Sequence, residues 1–372
     1  MRVDTNDYLR LFVDDVPMID SRAPIEFQHG AFPNTVNLPL MVDHERALVG
    51  TCYKEQGQDA AIRLGHQLVN GDVKAQRVQS WVNFAQQNPS GYLYCFRGGV
   101  RSQICQQWMR EAGCDYPRII GGYKAMRRFL LEQLDMLCQT HPLLILAGHT
   151  GAAKTELLQK MPGAVDLEAI ANHRGSAFGK KPDGQPSQID FENRVIIAMI
   201  KLCHRAPDRP IILEDESRLI GRCALPPVLR DAMAKAPVLL LDTDAEDRVN
   251  HSWQNYILRK SEEWQAEVGH QHAFASFSED LRDSLSKIRK RLGGDRYVEV
   301  SQLLESALLA HEQGDPTLHK GWIRKLLSDY YDPMYEWQWQ KHHARVVYRG
   351  AANDILAYAG DWRPDSNKQG RD

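Results

Sequence analysis

The sequence predicts an α/β protein with two parallel-sheet domains and a helical C-terminal region. Three observations carry this. Short apolar runs alternate with helical stretches in two successive blocks, as parallel sheets with crossover helices require. In each block one apolar run ends in a glycine-containing turn that opens a helix. Beyond about residue 250 the pattern turns almost wholly helical and rich in charge. The length of 372 residues suits two domains of roughly 100–200 residues each. A composition of 43% hydrophobic and 25% charged residues excludes a disordered chain or a fibrous repeat.

In the first block Val16 to Asp20, Val36 to Leu40 and Gly91 to Cys95 read as short buried strands, with a helix from Ala75 to Gln87 between the last two. Gly121-Gly122 closes the block, and a helix from about Lys124 to Thr140 leads to His141-Pro142. The second block opens with the strand Leu143 to Ala147 and continues with strands at Pro210 to Leu213 and Val238 to Leu241. The expected divisions are a first domain at 1–128, a connecting helix at 129–141, a second α/β domain at 142–250 and the helical region at 251–372. Residues 364–372 read as a frayed tail.

Several classes of function fall away. The longest apolar runs are too short to span a bilayer, and the opening MRVDTNDYLR has no apolar signal core. A soluble cytoplasmic protein with no membrane partner is therefore expected. Seven cysteines are odd in number, dispersed and free of C-x-x-C pairs. That suits a reducing compartment and argues against a disulfide framework or a thiolate zinc site. A formal charge of −2 excludes a globally basic nucleic-acid coat but leaves room for a local basic face.

Two loops carry chemistry. The first, Tyr94-Cys95-Phe96-Arg97-Gly98-Gly99-Val100-Arg101-Ser102, follows the third strand and opens a helix. Inward-pointing backbone N–H groups, the helix N-terminus and Arg97 and Arg101 would favour a Cys95 thiolate, so Cys95 is the expected nucleophile. Gly98 and Gly99 let the backbone curl around an anion or a persulfide-like sulfur. The bland alternative is a small buried hydrophobe at a strand end. Together with Ile19-Asp20-Ser21-Arg22, Glu26-Phe27, Phe32 to Pro39 and Gly121-Gly122, this loop makes residues 1–128 resemble a rhodanese domain. The resemblance implies that Cys95 carries persulfide or selenide, and that Asp20 and Arg22 are ion-pair partners rather than catalysts. The C-x5-R spacing from Cys95 to Arg101 is one residue longer than the C-x4-R usual in sulfur transfer, and phosphatases share it.

The second loop is Gly148-His149-Thr150-Gly151-Ala152-Ala153-Lys154-Thr155, between an apolar strand and a helical run. It resembles the P-loop G-x-x-x-x-G-K-[ST], with Ala153 in place of the second glycine. Such a loop cradles phosphate with Gly148, Gly151 and Lys154, while the Thr155 hydroxyl holds Mg²⁺. Ile211 to Ser217 reads as its partner strand, with Asp215 and Glu216 as the carboxylates for Mg²⁺. Mg²⁺, and no tightly bound organic cofactor, is expected. Further on, His173 and Arg174, beside Gly175 and Ser176, are suited to clamp a second phosphate or an anionic substrate.

The combination narrows the family. A rhodanese-like domain joined to a P-loop domain that carries Asp166-Leu167-Glu168, Ala171-Asn172-His173-Arg174-Gly175-Ser176 and Gln185-Pro186-Ser187-Gln188 resembles the tRNA 2-selenouridine synthases, and Tyr330 to Tyr335 extend the match. The resemblance implies a two-step change at the tRNA wobble position. The sulfur of 2-thiouridine attacks geranyl diphosphate, and selenium from selenophosphate then replaces the geranylated sulfur, with Cys95 serving the second step. It also implies tRNA bearing 2-thiouridine as partner, together with an enzyme that supplies selenophosphate. Arg282, Lys287, Arg289, Lys290, Arg291 and Arg296, with Lys320, Arg324, Lys325, Lys341, His342, His343 and Arg345, make the helical region the expected tRNA dock. Tyr330, Tyr331, Tyr335, Trp337 and Trp339 either stack on splayed bases or pack a core. Two other functions compete: a C-x5-R phosphatase, and a nucleotide-binding regulatory protein whose rhodanese-like domain is an interaction module.

Overall fold

The computed structural model describes residues 2–340 and 345–363, excluding the side chains of 337–340. Lys341, His342, His343 and the expected tail at 364–372 lie outside the described residues, as do the side chains of Trp337 and Trp339. Backbone contacts divide the chain into two units. One comprises Met1–Met136 with Ser187–His204, the other Leu137–Pro186 with Arg205–Asp372. No helix among the described residues is long and apolar enough to cross a membrane.

Unit 1 is built on a parallel sheet of β1 (Met18–Asp20), β2 (Thr35–Asn37) and β3 (Tyr92–Tyr94) in the order β2-β1-β3. All three expected strands are present, each shorter than its apolar run. Its core gathers Ile19, Trp81, Leu93, Trp108 and Met109. Asp20 and Arg22 form the expected ion pair: Arg22 Nη2 lies 2.6 Å from Asp20 Oδ2, both side chains are buried, and the guanidinium covers the Tyr123 ring. The helices Asp43–Gln56 and Gln58–Leu68 fill a stretch to which the sequence assigned no element. The helix Gln188–Arg205 crosses the boundary expected for the second domain, since residues up to 204 pack in unit 1. Its anchors are polar and specific: Asp190 Oδ1 accepts from the Ala31 N–H at 2.6 Å, Asn193 Nδ2 donates to Ala31 O at 2.7 Å, and Arg127 Nη1 donates to Asn193 Oδ1 at 2.7 Å.

Unit 2 holds a parallel sheet of β4 (Leu143–Gly148), β5 (Ala164–Val165), β6 (Ile211–Glu214), β9 (Val238–Leu241) and β10 (Val346–Gly350), in the order β10-β9-β4-β6-β5. A small antiparallel hairpin, β7 (Leu219–Ile220) and β8 (Cys223–Ala224), lies between β6 and β9 in the chain. Every residue of β4, β6 and β9 is buried, as strands covered on both faces should be. The expectation of an almost wholly helical region after 250 is corrected by β10, which pairs parallel with β9. The following helix, Ala352–Asp361, lays Ile355 and Ala359 onto the core formed by Leu144, Ile212 and Leu239. The C-terminal end therefore completes the sheet rather than extending the helical region.

Between β9 and β10 the described residues from Ala245 to Gln340 are mainly helical, with a core of their own around Phe277, Leu281, Leu304, Trp322 and Leu326. His319 is wholly buried there. Its Nδ1 accepts from the Trp322 indole N–H at 2.9 Å, and its Nε2 faces His311 Nδ1 at 3.2 Å. Burial, reinforced by His311, pushes its pKa down to about 3. The folded protein thus resists a proton that the unfolded chain accepts below about pH 6.5. Its contribution is complete above that pH and is lost as the pH falls. By linkage about 3 kcal/mol should disappear between pH 6.5 and pH 4. Denaturant titrations at the two pH values should show His319→Gln losing about that much less than the parent; an equal loss would remove His319 from the acid response.

Candidate functional site

In unit 2 the residues from Thr150 to Thr155 wrap one end of a cavity of about 590 Å³, a size usual for a small-molecule site. Gly151 has φ +82°, and a Cβ there would meet Ser252 Oγ at 2.6 Å and Arg248 O at 2.8 Å, so glycine is required. Ala153, at φ +60°, caps the helix Lys154–Leu158 in the left-handed conformation for which the usual glycine is suited. The loop accordingly keeps the glycine-type backbone without the glycine. That conformation costs an alanine about 1–2 kcal/mol, and glycine gives back roughly 0.4–1 kcal/mol through its freer unfolded chain. Ala153→Gly should therefore stabilise the protein by about 0.5–1 kcal/mol in urea denaturation; destabilisation would show that the left-handed geometry is not retained.

Lys154 Nζ donates to Gly148 O at 2.9 Å and sits 5.9 Å from the centroid of the Tyr335 ring. Burial alone would lower its pKa, but Tyr335, Glu168, Glu216 and Glu214 outweigh it and raise the value, keeping the ammonium charged. Beside it Glu168, Glu214 and Glu216 bring carboxylate oxygens within 4.8 Å of one another. Thr155 Oγ1 lies 3.5 Å from Glu168 Oε2, and Glu214 Oε1 accepts from the Glu168 N–H at 2.8 Å. Burial raises the pKa of Glu168 against the pull of Lys154. Burial and the neighbouring carboxylates raise Glu214 and Glu216 well above the ordinary range. Glu214 Oε2 is buried with no hydrogen-bond partner among the described residues. An all-oxygen donor set with an orphaned carboxylate oxygen fits Mg²⁺.

Of the two expected carboxylates, Glu216 belongs to this cluster and Asp215 does not. Asp215 lines the cavity but is exposed and stands outside the cluster, whereas Glu214 and Glu216, two residues apart, fall on one side of the strand end. Glu168, the glutamate of Asp166-Leu167-Glu168, comes from the helix Leu167–Ala171 and completes the cluster. The alternation in Leu213-Glu214-Asp215-Glu216 held the signal for Glu214 and Glu216; Glu168 stood out only as part of the Asp166-Leu167-Glu168 motif, with nothing to give it a place beside them.

His173 and Arg174 do line the same cavity as Lys154 and Thr155. Burial, then Lys260 and Arg174, push His173 down to about 4, so it is neutral at pH 7. Arg174 pairs with Glu263 through one guanidinium nitrogen, while its Nη1 is buried with no partner among the described residues. Two π-helical turns, Gln254–Leu258 and Leu327–Tyr331, bring Tyr256 and Tyr331 to the cavity wall. Tyr331 is thus buried rather than free to meet a base, and Tyr330 packs against the helical core. Arg248 ties this region to the loop, donating from Nε to Thr150 O at 3.0 Å while pairing with Asp332.

In unit 1 Cys95 is buried, and its thiol donates to Ser102 Oγ at 3.3 Å. It follows β3 directly, and the helix Val100–Glu111 begins after Gly99. The loop is held from behind: the Tyr123 and Lys124 N–H groups donate to Cys95 O and Phe96 O, each at 2.9 Å. A Cβ on Gly122, at φ +57°, would lie 2.2 Å from Cys95 O, which explains Gly121-Gly122. Arg97 is exposed, and Arg101 lines the same cavity as Cys95 while pairing with Glu26 at 2.7 Å. Of the basic helix, Arg282 is paired with Glu305, whereas Lys287, Lys290 and Arg291 are exposed and have no ion pair among the described residues. Elsewhere Arg324 pairs with Glu246, and Lys325 with Glu299 and Asp329.

Sheet, loop and carboxylates define unit 2 as a P-loop-like α/β domain. A family model described as the tRNA 2-selenouridine synthase AAA domain matches residues 141–365. A tRNA 2-selenouridine synthase of Hahella chejuensis is 58% identical over 95% of this chain and 94% of its own length. Proteins of the same name from Marinobacter nauticus and Pseudomonas syringae pv. syringae are each 50% identical over 96% of this chain and 98% of theirs. The chain belongs to the tRNA 2-selenouridine synthase family.

Proposed function

We propose that the chain converts 2-thiouridine at the tRNA wobble position to 2-selenouridine in two steps, one in each unit. One observation carries this: the chain has two strand-to-helix loops of different chemistry, one in each unit. One presents a lysine and carboxylates, the other a buried cysteine. In the first step the C2 sulfur of the uridine attacks C1 of geranyl diphosphate, and the C–O bonding pair leaves with diphosphate. The Lys154 ammonium and the loop around Gly148 and Gly151 meet the charge that grows on the leaving group, and Arg174 Nη1 offers a further donor. Thr155, Glu168, Glu214 and Glu216 would hold Mg²⁺, which when bound supplies Lewis-acid neutralisation of diphosphate.

In the second step the selenium of selenophosphate attacks C2 and the C2–S bonding pair leaves with the sulfur, which is protonated to geranyl thiol; water then cleaves the Se–P bond, releasing inorganic phosphate and leaving selenium at C2. Unit 1 is a rhodanese-type domain in this scheme, and the Cys95 loop holds and activates the selenophosphate for attack, with no change in the oxidation state of selenium. The short parallel sheet, with Cys95 between β3 and a helix start, supports that assignment. Lys287, Lys290 and Arg291 supply the exposed charge that a tRNA backbone requires, and seven free thiols suit the reducing cytoplasm.

The test is nucleoside mass spectrometry of 2-thiouridine tRNA incubated with the protein, Mg²⁺ and geranyl diphosphate, selenophosphate being added last. A geranyl mass gain that selenophosphate converts to the selenium-for-sulfur shift is the expected result. Unchanged, intact, thiolated tRNA would overturn the assignment.

A further inference from the structure

Unit 1 contains a second cavity, of about 810 Å³, with Cys95 in its wall. Its character is unlike that of the phosphate site. Val49, Ile62, Val69, Ile104 and Trp108 make most of the interior apolar, and Arg46 and Arg97 also border it. Anion chemistry at Cys95 gives no reason for so much apolar space, because a selenophosphate needs only the loop itself.

The two helices that wall this space, Asp43–Gln56 and Gln58–Leu68, each carry an interior glycine that lines it, Gly50 and Gly65. Neither has a positive φ, so neither is needed for a turn. A Cβ on Gly50 would meet nothing within 4 Å, and one on Gly65 only Val49 Cγ2 at 3.9 Å. Glycine inside a helix is unfavourable relative to alanine. Neither backbone conformation nor close packing requires it at these two positions. What both glycines preserve is room.

We propose that this cavity holds the ten-carbon prenyl chain of the S-geranylated uridine while selenium is transferred at Cys95. The inference rests on the two-step function above. In that scheme the substrate of the second step carries its apolar chain on the sulfur being displaced, one bond from the reacting C2 carbon. A site that brings C2 to Cys95 must therefore place the chain beside Cys95 as well. The cavity meets that demand in position and in polarity, and its volume lies within the usual range for small-molecule sites, roughly 300–1,000 Å³. Arg97, exposed and without an ion pair among the described residues, borders the same cavity and would meet the polar end of that substrate. The geranyl group thus serves as a handle that marks the thiolated base as ready for exchange.

Chain length is the decisive variable. Calorimetry with the full chain should show S-geranyl-2-thiouridine nucleoside binding more tightly than its S-dimethylallyl counterpart. Ile62→Trp, which fills the interior, should lower geranyl affinity by about 100-fold, on the scale of pocket discrimination by a few methylenes, and leave dimethylallyl affinity little changed. Gly50→Leu fills from the other helix and raises helix propensity, so it guards against a folding defect in the first variant. Geranyl affinity unchanged in both variants, or equal loss for both chain lengths, would overturn the assignment. The same proteins are then given tRNA carrying each thioether, with selenophosphate. If the nucleosides behave as expected but the parent protein exchanges no selenium, the cavity assignment stands and the two-step function fails.

Discussion

Cys95→Ala should lower selenium incorporation by roughly 10³-fold or more, the scale set by removing a nucleophile, while S-geranylated tRNA still forms and accumulates. The reasoning is local. The Cys95 thiol reaches only Ser102 Oγ at 3.3 Å and, weakly, Gly99 O at 3.9 Å, and packs at the end of β3, so losing one sulfur atom removes the reactive group with little disturbance of the loop. The backbone bonds from Tyr123 and Lys124 that hold the loop do not involve the side chain. Mass spectrometry of nucleosides from variant-treated tRNA reads both products at once. Loss of the geranylated product together with the selenated one would place both steps at Cys95.

Lys154→Ala should produce the mirror image, with geranylation reduced by about 10²–10³-fold, as when a preorganised donor to a developing oxyanion is removed. Its ammonium faces three carboxyl groups, and its charge offsets part of their repulsion. The variant's carboxyl cluster should therefore hold its protons more tightly, so that raising Mg²⁺ recovers part of the loss at high pH and little of it at low pH. Selenium exchange on tRNA that has already been geranylated should continue at the parent rate. A matching fall in that second rate would show that Lys154 serves more than the first step.

How much of this was legible depended on how local each signal was. β4 and β9 read directly as Leu143 to Ala147 and Val238 to Leu241, because a parallel strand buried on both faces leaves a continuous apolar run. β10 is a half-buried edge strand, and Val346 to Gly350 follow a helical stretch that hid it. The helix at 43–56 lacks a clean apolar stripe, with Gly50 standing where a packing residue would be expected, whereas the helix at 58–68 is amphipathic, a signal the sequence reading did not use. Both chemical loops could be recognised, since each sits where a strand turns into a helix. Glu168 could not, because its place beside Glu214 and Glu216 depends on contacts between distant parts of the chain.

The helix Gln188–Arg205 has a consequence for how the protein is made. Unit 1 is interrupted after Met136 and resumes only at Ser187, yet Phe191, Val195, Ile196 and Met199 of that late helix are fully buried. A ribosome must therefore add the 68 residues from 137 to 204, phosphate loop included, before the first unit can close. At about 5–20 residues per second that is a delay of roughly 3–14 s. During that interval the Cys95 domain is a nascent chain lacking one of its own helices, and its partly built core is open to chaperones or to other unfinished chains.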